Sequence, residues 1–151
     1  MKKVVIACDH RGDVFCEKIN NHLKSKGFDS ILISSQSPTD DYVDNGRIAL
    51  DMMKKKQVDY AILVCGTGIG MAVIANRMKG IFAVHAREEA EAYFARRHEN
   101  ANVLVFGCGY SDGKVDIKLC TRKAKRIIDT FFSTDFEGDR HIRRIKKVDE
   151  D

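Results

Sequence analysis

The sequence predicts an α/β fold in which a five-stranded parallel sheet lies between two layers of helices. Five short runs of apolar residues show no alternation with polar ones, which is typical of strands buried on both faces of a sheet. Stretches with helical periodicity separate these runs, so that each strand can return parallel to the one before it. We therefore expect a three-layer, doubly wound, Rossmann-like domain over residues 1–134, and a charged tail of the same domain over residues 135–151.

The elements alternate regularly along the chain. Strands are predicted at residues 4–8, 30–34, 61–64, 81–85 and 103–106. The first helix is predicted to end at about residue 26, and the other helices to span about 43–56, 71–77, 87–97 and 114–132. A polar loop over residues 35–42 holds the only proline, Pro38, and the tail contains a short helix that needs another surface to pack on. The residues expected to face the sheet are Phe15, Ile19 and Leu23; Ile48, Met52 and Met53; Ala90, Phe94 and neighbouring alanines; and Ile117, Cys120, Ala124, Ile127, Ile128 and Phe131.

Composition limits the function classes. At 151 residues the chain fits one domain, and its net charge of +4 is modest. The basic excess at residues 114–126 and 140–147 is typical of solvated helix faces, so we expect no nucleic-acid partner. No apolar run is long enough to span a membrane and no signal peptide is recognisable, so a cytoplasmic location is expected.

The five cysteines do not form a disulfide or zinc pattern. Their number is odd and no two are spaced as C-x-x-C, which argues against a disulfide framework and a structural zinc site. Most are expected to be small buried hydrophobic residues. Cys65 differs because of the residues that follow it.

A glycine-rich turn follows the third strand, in the stretch YAILVCGTGIG at residues 60–70. Glycines let a ligand approach the backbone, and successive N–H groups before a helix favour negative charge. Cys65 stands where the strand ends, and Thr67 lies inside the turn. A thiol, a hydroxyl and several backbone donors are therefore predicted at the sheet edge where α/β proteins bind ligands.

Other polar residues allow more than one interpretation from the sequence alone. Asp9 at the end of the first strand is typical of a helix cap, and His98 could be a cation at a helix C-terminus. Arg140 and Arg144 fit a solvated basic face. A metal site built from Cys8, His10, Cys65 and His98 lacks the usual ligand spacing, so no metal is expected.

Taken together, the motifs resemble the type B ribose-5-phosphate isomerases, the family that includes the galactose-6-phosphate isomerase subunits. They occur in order as Asp9-His10-x-Gly12, Asp41-Tyr42, CGTGIGM at 65–71, Ala75-Asn76-x-x-x-Gly80-Ile81, His98-x-x-Ala101-Asn102-Val103-Leu104, and Phe136-Glu137-Gly138-x-Arg140-His141 with Arg144. The match runs nearly end to end, and the combination is more specific than any one motif.

The resemblance implies an aldose–ketose isomerase that acts on a sugar phosphate through a cis-enediol(ate), without metal or cofactor. On that pattern Cys65 is the base that moves a proton between C1 and C2, Thr67 handles a hydroxyl proton, His98 opens the furanose ring, and Asp9 lies beside the ring oxygen or hydroxyls. The implied substrate-binding residues are His10, Gly66, Gly68, Ile69, Gly70, Arg140 and Arg144. The family completes its site across an interface, which implies a homodimer, or a tetramer of such dimers, with the tail contacting the partner subunit.

Three departures from the family pattern leave the substrate open. Glu99 replaces an asparagine, Gly109 replaces an arginine that touches the phosphate, and Asp139 replaces a glycine. Arg11 or Arg143 could restore the lost charge, or the substrate could be another sugar or sugar phosphate. A protein that binds sugar phosphates without catalysis is a third hypothesis, although a binding protein needs neither Cys65 nor His98.

Overall fold

The computed structural model describes residues 1–35, 37, 39–109 and 117–150. The elements are β1 (Lys3–Cys8), α1 (Asp13–Ser25), β2 (Asp29–Ile33), α2 (Tyr42–Lys54), β3 (Tyr60–Cys65), α3 (Ile69–Asn76), β4 (Ala83–His85), α4 (Glu89–Glu99), β5 (Val103–Gly107), α5 (Ile117–Ser133) and α6 (Arg140–Val148). Pro38 and the predicted start of the long helix at residue 114 lie outside the described residues, as does the side chain of Ile117.

The five strands form one parallel sheet in the order β2-β1-β3-β5-β4. The two central strands are in register with Cys8 opposite Val64, and Cys65 lies opposite Gly107 of β5. The chain crosses from one side of the sheet to the other between β2 and β3, which makes the carboxyl ends of β1 and β3 the switch point. The predicted fold class is confirmed, and it brings the turns after β1 and β3 together.

The sheet is buried on both faces, as the uninterrupted apolar runs require. Alternate strand residues belong to two separate core clusters, so that Ile6 packs on the side of α1 and α5 while Leu63 packs on the side of α2 and α3. Ile19 and Phe131 are essentially inaccessible to solvent on the first side, and Met71 on the second. The buried faces predicted for α1 and for the described part of α5 are confirmed.

The buried face predicted for α2 is wrong at Ile48, which is 50% exposed. Ala49 and Leu50 are buried instead, and Met52 and Met53 are only half-buried. The buried side of α2 is therefore rotated by about one residue from the prediction, toward a side that contains a glycine. A Cβ atom on that glycine, Gly46, would lie 2.9 Å from the sulfur of Met71, so α2 packs closely on α3 through its small residues.

The buried face predicted for α4 is wrong at Ala90 and Phe94, because both are exposed. Ala92 and Ala95 face the sheet as expected for the neighbouring alanines, but Arg96 lies beside them and is 8% exposed. The Arg96 guanidinium donates to the carbonyl of Ala101 at 2.6 Å and stacks over aromatic rings of the core. The buried side of α4 therefore consists of Ala92, Ala95 and Arg96, and Phe94 lies on another side of the helix.

The tail contains the predicted short helix, α6, which contacts α4. Its only deeply buried side chain is that of His141, whereas Ile142 and Val148 are 45% and 69% exposed. The backbone N–H of Gly80 donates to the carboxylate of Asp149 at 3.1 Å and holds the end of the helix. None of the helices in the described part of the chain is both long and apolar enough to cross a bilayer.

Candidate functional site

The turn after β3 places a thiol against main-chain donors. Gly68 adopts a left-handed conformation with φ +79°, and its N–H points at Cys65, whose sulfur accepts a hydrogen bond at 3.2 Å. The N–H of Ile69 donates to the hydroxyl of Thr67, also at 3.2 Å. Cys65 is 5% exposed and Thr67 is exposed. Both side chains therefore accept a hydrogen bond from an N–H group of the same turn, one from a buried position and one from the surface. This is the arrangement that the glycine-rich sequence predicts.

The turn after β1 lies next to it and carries Asp9 and His10. Asp9 is 8% exposed, and its Oδ1 accepts a hydrogen bond from the N–H of Arg11 at 3.0 Å. The N-cap residue of α1 is Gly12 and no side chain caps the helix, so Asp9 does not act as the helix cap that the sequence alone would allow. The imidazole of His10 is exposed beside it.

Two residues of α2 that sequence reasoning left without a role shape this edge of the sheet. The side-chain amide of Asn45 is buried and donates to the carbonyl of Cys8 at 2.9 Å, which fixes the turn after β1. The ring of Tyr42 lies against Gly70, since a Cβ atom there would be 2.6 Å from its carbon atoms. The absence of a side chain at Gly70 was the signal that could have revealed Tyr42.

The histidine at the end of β4, His85, also lies at the glycine turn. Its Nε2 would be 2.7 Å from a Cβ atom on Gly68. Burial, and then the charge of Arg87, lower the pKa of His85 below the usual value for histidine. A cavity of about 560 Å³ beside the turn is lined by His85 and Arg87 together with Thr67. By contrast, His22 pairs with a carboxylate of α5 and lies far from the turn in the sequence.

The ring of His98 lies in a second cluster, at the end of α4. It stacks on the ring of His141, with centroids 4.3 Å apart and planes inclined by 11°. Glu137 pairs with Arg97 at 2.8 Å and with Arg140 at 2.9 Å, and its Oε1 is 3.8 Å from His141 Nε2. The sequence predicted His98 and Arg140 as site residues, and the structure brings them together.

The electrostatics of this second cluster are dominated by cations. Burial and then the neighbouring His98 lower the pKa of His141, whose buried Nε2 has no hydrogen-bond partner among the described residues. Burial acts to raise the pKa of Glu137, but Arg97 and Arg140 outweigh it and hold that pKa below the usual value. Arg144 lies near enough to lower the pKa of His141 further.

Ligand atoms of His98, Glu137 and His141 lie within 4.8 Å of one another, a spacing that could hold a metal ion. The carboxylate is already neutralised by two guanidinium groups, however, and further positive charge surrounds it. These surroundings favour an anion over a cation.

The two clusters lie at opposite ends of the parallel strands, which are here called the carboxyl edge and the amino edge of the sheet. The helix α4 starts after the carboxyl end of β4 and ends before the amino end of β5, so its last turn must lie at the amino edge. His98, Arg140 and Arg144 are therefore at that edge, whereas Asp9, His10, Cys65, Thr67 and the glycine turn are at the carboxyl edge. One chain does not bring the predicted site residues together.

We expect Gly68→Ala to destabilise the fold more than Gly80→Ala. Both glycines have nearly the same φ, +79° and +80°, so both variants share a left-handed strain of about 1–2 kcal/mol. At Gly68 the new Cβ would also lie 3.0 Å from the backbone nitrogen of Gly107 and closer still to His85, whereas nothing lies within 4 Å at Gly80. The clash should add about 1–3 kcal/mol to the loss in free energy of unfolding, measured by urea denaturation. Equal losses in the two variants would contradict this packing.

The matching family model and two similar sequences are those of ribose or galactose isomerases. A family model described as Ribose/Galactose Isomerase matches residues 4–148. The chain is 37% identical to the probable ribose-5-phosphate isomerase B of Mycoplasma genitalium over 148 residues, which is 96% of this chain and 92% of that one. It is 34% identical to ribose-5-phosphate isomerase B of Escherichia coli over 149 residues, 98% of this chain and 95% of that one.

Two solved structures superpose on this structure over nearly the whole chain. The crystal structure of a ribose 5-phosphate isomerase from Thermotoga maritima superposes with a TM-score of 0.87 at 38% identity, covering 99% of both chains. The ribose-5-phosphate isomerase B of Mycoplasma genitalium with bound ribulose-5-phosphate gives a TM-score of 0.85 at 35% identity, covering 97% of this chain and 93% of that one.

Proposed function

The chain belongs to the ribose/galactose isomerase family, and we therefore propose that it interconverts ribose 5-phosphate and ribulose 5-phosphate. The observation that carries this proposal is the hydrogen bond from the N–H of Gly68 to the sulfur of Cys65, inside a turn of further N–H groups. A similar solved structure, from Mycoplasma genitalium, holds ribulose-5-phosphate. The substrate class thus follows from the relatives, and the chemistry from the turn.

In the proposed reaction Cys65 acts as the base. Its thiolate removes the proton from C2 of the open-chain aldose, and the resulting thiol returns that proton to C1, so that the thiolate is regenerated. The hydroxyl of Thr67 accepts the proton that leaves O2 and supplies the one that O1 gains. The thiolate is the reactive form of a cysteine, and the N–H of Gly68 offers it a hydrogen bond.

The enediolate formed between these two steps carries negative charge on oxygen. The turn over residues 66–70 offers N–H groups where that charge develops, and one such donor contributes about 3 kcal/mol in comparable sites. Asp9 and His10, on the neighbouring turn, are close enough in the fold to bind the sugar hydroxyls and the phosphate. Proton transfer between fixed groups needs no change of oxidation state outside the sugar, so the proposal includes no metal or cofactor.

The second cluster enters the site from another copy of the chain. Since His98 lies at the opposite sheet edge from Cys65 of its own chain, a partner subunit must present its His98, Arg140 and Arg144 to the turn after β3. Exposed apolar side chains around that cluster, Phe94 at 51% and Ile142 at 45%, support such a contact. We propose a homodimer with two shared sites, in which His98 opens the ring and the arginines bind phosphate; pairs of dimers would form the tetramer.

Turnover by the metal-depleted enzyme tests this function. After dialysis against EDTA, we expect the protein to convert ribose 5-phosphate to a ketose at an undiminished rate, measured by ketose-specific absorbance. The same assay is run on ribose, galactose 6-phosphate and a tetrose phosphate, because Glu99 is exposed directly beside the ring-opening His98.

Faster turnover of another sugar in that panel would favour the alternative substrate. Saturable binding without turnover of any sugar would favour the non-catalytic binding protein. A loss of activity in EDTA that is restored by a divalent metal would contradict the metal-free mechanism.

A further inference from the structure

The side chain of Arg11 extends across the glycine turn. A Cβ atom on Gly66 would lie 3.6 Å from Nη1 of Arg11 and 3.4 Å from the carbonyl oxygen of Gly109. The guanidinium therefore reaches from the turn after β1, over the turn after β3, toward the end of β5. A Cβ atom at position 66 would be in van der Waals contact with the guanidinium, so the Arg11 side chain packs directly on the turn.

This guanidinium has no partner among the residues that the structure describes. The hydrogen bonds of Arg11 are made by its backbone: its N–H donates to Asp9 at 3.0 Å, and its carbonyl accepts from the thiol of Cys108 at 3.5 Å. Two carboxylates lie equally near Arg11 in sequence, and both have other partners: Asp9 accepts from the backbone N–H of Arg11, and Asp13 accepts from the thiol of Cys8 at 3.3 Å. The turn holds the backbone of Arg11 in place, and within the described ranges no residue pairs with its side-chain charge.

The surroundings of this charge suit an anion. His10 precedes it and is exposed, and the glycine turn lies next to it at Gly66. Gly109, opposite, contributes only backbone, so no other side chain from that position competes for the space. A guanidinium is planar and permanently charged, and it binds phosphate through two parallel hydrogen bonds.

We propose that Arg11 binds the phosphate group of the substrate, on the same subunit as Cys65. The inference rests on the proposed function for the identity of the substrate, but the anion site itself can be tested separately. Arg11 then restricts the enzyme to phosphorylated sugars, since a neutral sugar would leave the guanidinium without its ligand.

Binding of inorganic phosphate to the homogeneous protein, followed by amide NMR, tests the anion site without turnover. We expect Arg11→Ala to weaken phosphate binding about 10- to 100-fold, and Arg11→Lys to weaken it less. The matched control is Arg122→Ala, which removes an exposed arginine of α5 and the same charge. Equal effects of the two alanine variants, or no saturable binding of phosphate by the wild type, would overturn the proposal.

Kinetics then separate this inference from the proposed function. Arg11→Ala should raise KM for ribose 5-phosphate about 10- to 100-fold with kcat within about threefold, while any turnover of unphosphorylated ribose is unchanged. An equal loss on both sugars would overturn the role of Arg11 and leave the isomerase intact. Phosphate binding that depends on Arg11, in a protein that isomerises no sugar phosphate, would retain the anion site and refute the proposed function.

Discussion

Cys65→Ala is expected to lower kcat for sugar-phosphate isomerisation by about 10³-fold or more, with the fold preserved. Proton transfer by a positioned base contributes about 10²–10⁴-fold, and the alanine methyl group cannot accept a proton. KM should change little, because the N–H groups of the turn, which we propose bind the sugar oxygens, come from the backbone. Steady-state kinetics at saturating substrate, with circular dichroism to verify folding, measure both effects.

The matched control for this variant is Cys16→Ala. Cys16 is fully buried in the core, and burial and then the neighbouring Cys8 raise its pKa well above the usual thiol value, which makes it unsuited to act as a base. Both substitutions remove a buried sulfur and should cost about 1 kcal/mol of stability. Only Cys65→Ala should lose activity. An active Cys65→Ala variant, or equal losses in the two, would refute the role of Cys65 as the base.

The fold could be predicted because each strand is buried on both faces, so that its sequence reads as one apolar run. Helix faces were harder to predict, since a period of 3.6 residues allows several stripes and the neighbours decide among them. On α2 the close approach of Gly46 to α3 selects the stripe, and on α4 the buried stripe includes the hydrogen-bonded Arg96 and leaves Phe94 exposed. Both outcomes depend on tertiary contacts that local periodicity does not contain.

The site was predictable where one short segment supplies it. The segment around Cys65 and Gly68 carries the thiol, the left-handed glycine and the donors together, and the resemblance that led to the sugar-phosphate isomerases is confirmed by family membership. The separation of His98 from Cys65 was also implicit in the predicted order of strands and helices, because a helix that connects two parallel strands ends at their amino edge. Gly70 indicated that a neighbour packs closely there, but the identity of that neighbour as Tyr42 depends on how α2 packs on the turn.

Two inactive variants, Cys65→Ala and His98→Ala, are expected to restore activity to each other when their subunits are exchanged. Each variant alone should be impaired in both sites of a dimer, His98→Ala by about 10²-fold because the ring-closed sugar is no longer opened efficiently. In a mixed dimer, one site receives Cys65 from one chain and His98 from the other, and is intact. Random exchange makes half of the dimers mixed, so about a quarter of wild-type activity should return.

The recovery distinguishes a shared site from a site within one chain, because no chain in the mixture carries both residues. Differently tagged chains are co-expressed, and the mixed dimer is purified through both tags before kcat is measured; it should reach about half of the wild-type value per dimer. The control pairs each variant with a differently tagged copy of itself, where no recovery is expected. A purified mixed dimer without activity would mean that Cys65 and His98 do not meet across the interface. Since they lie at opposite edges of one sheet, no catalytic partnership between them would then remain.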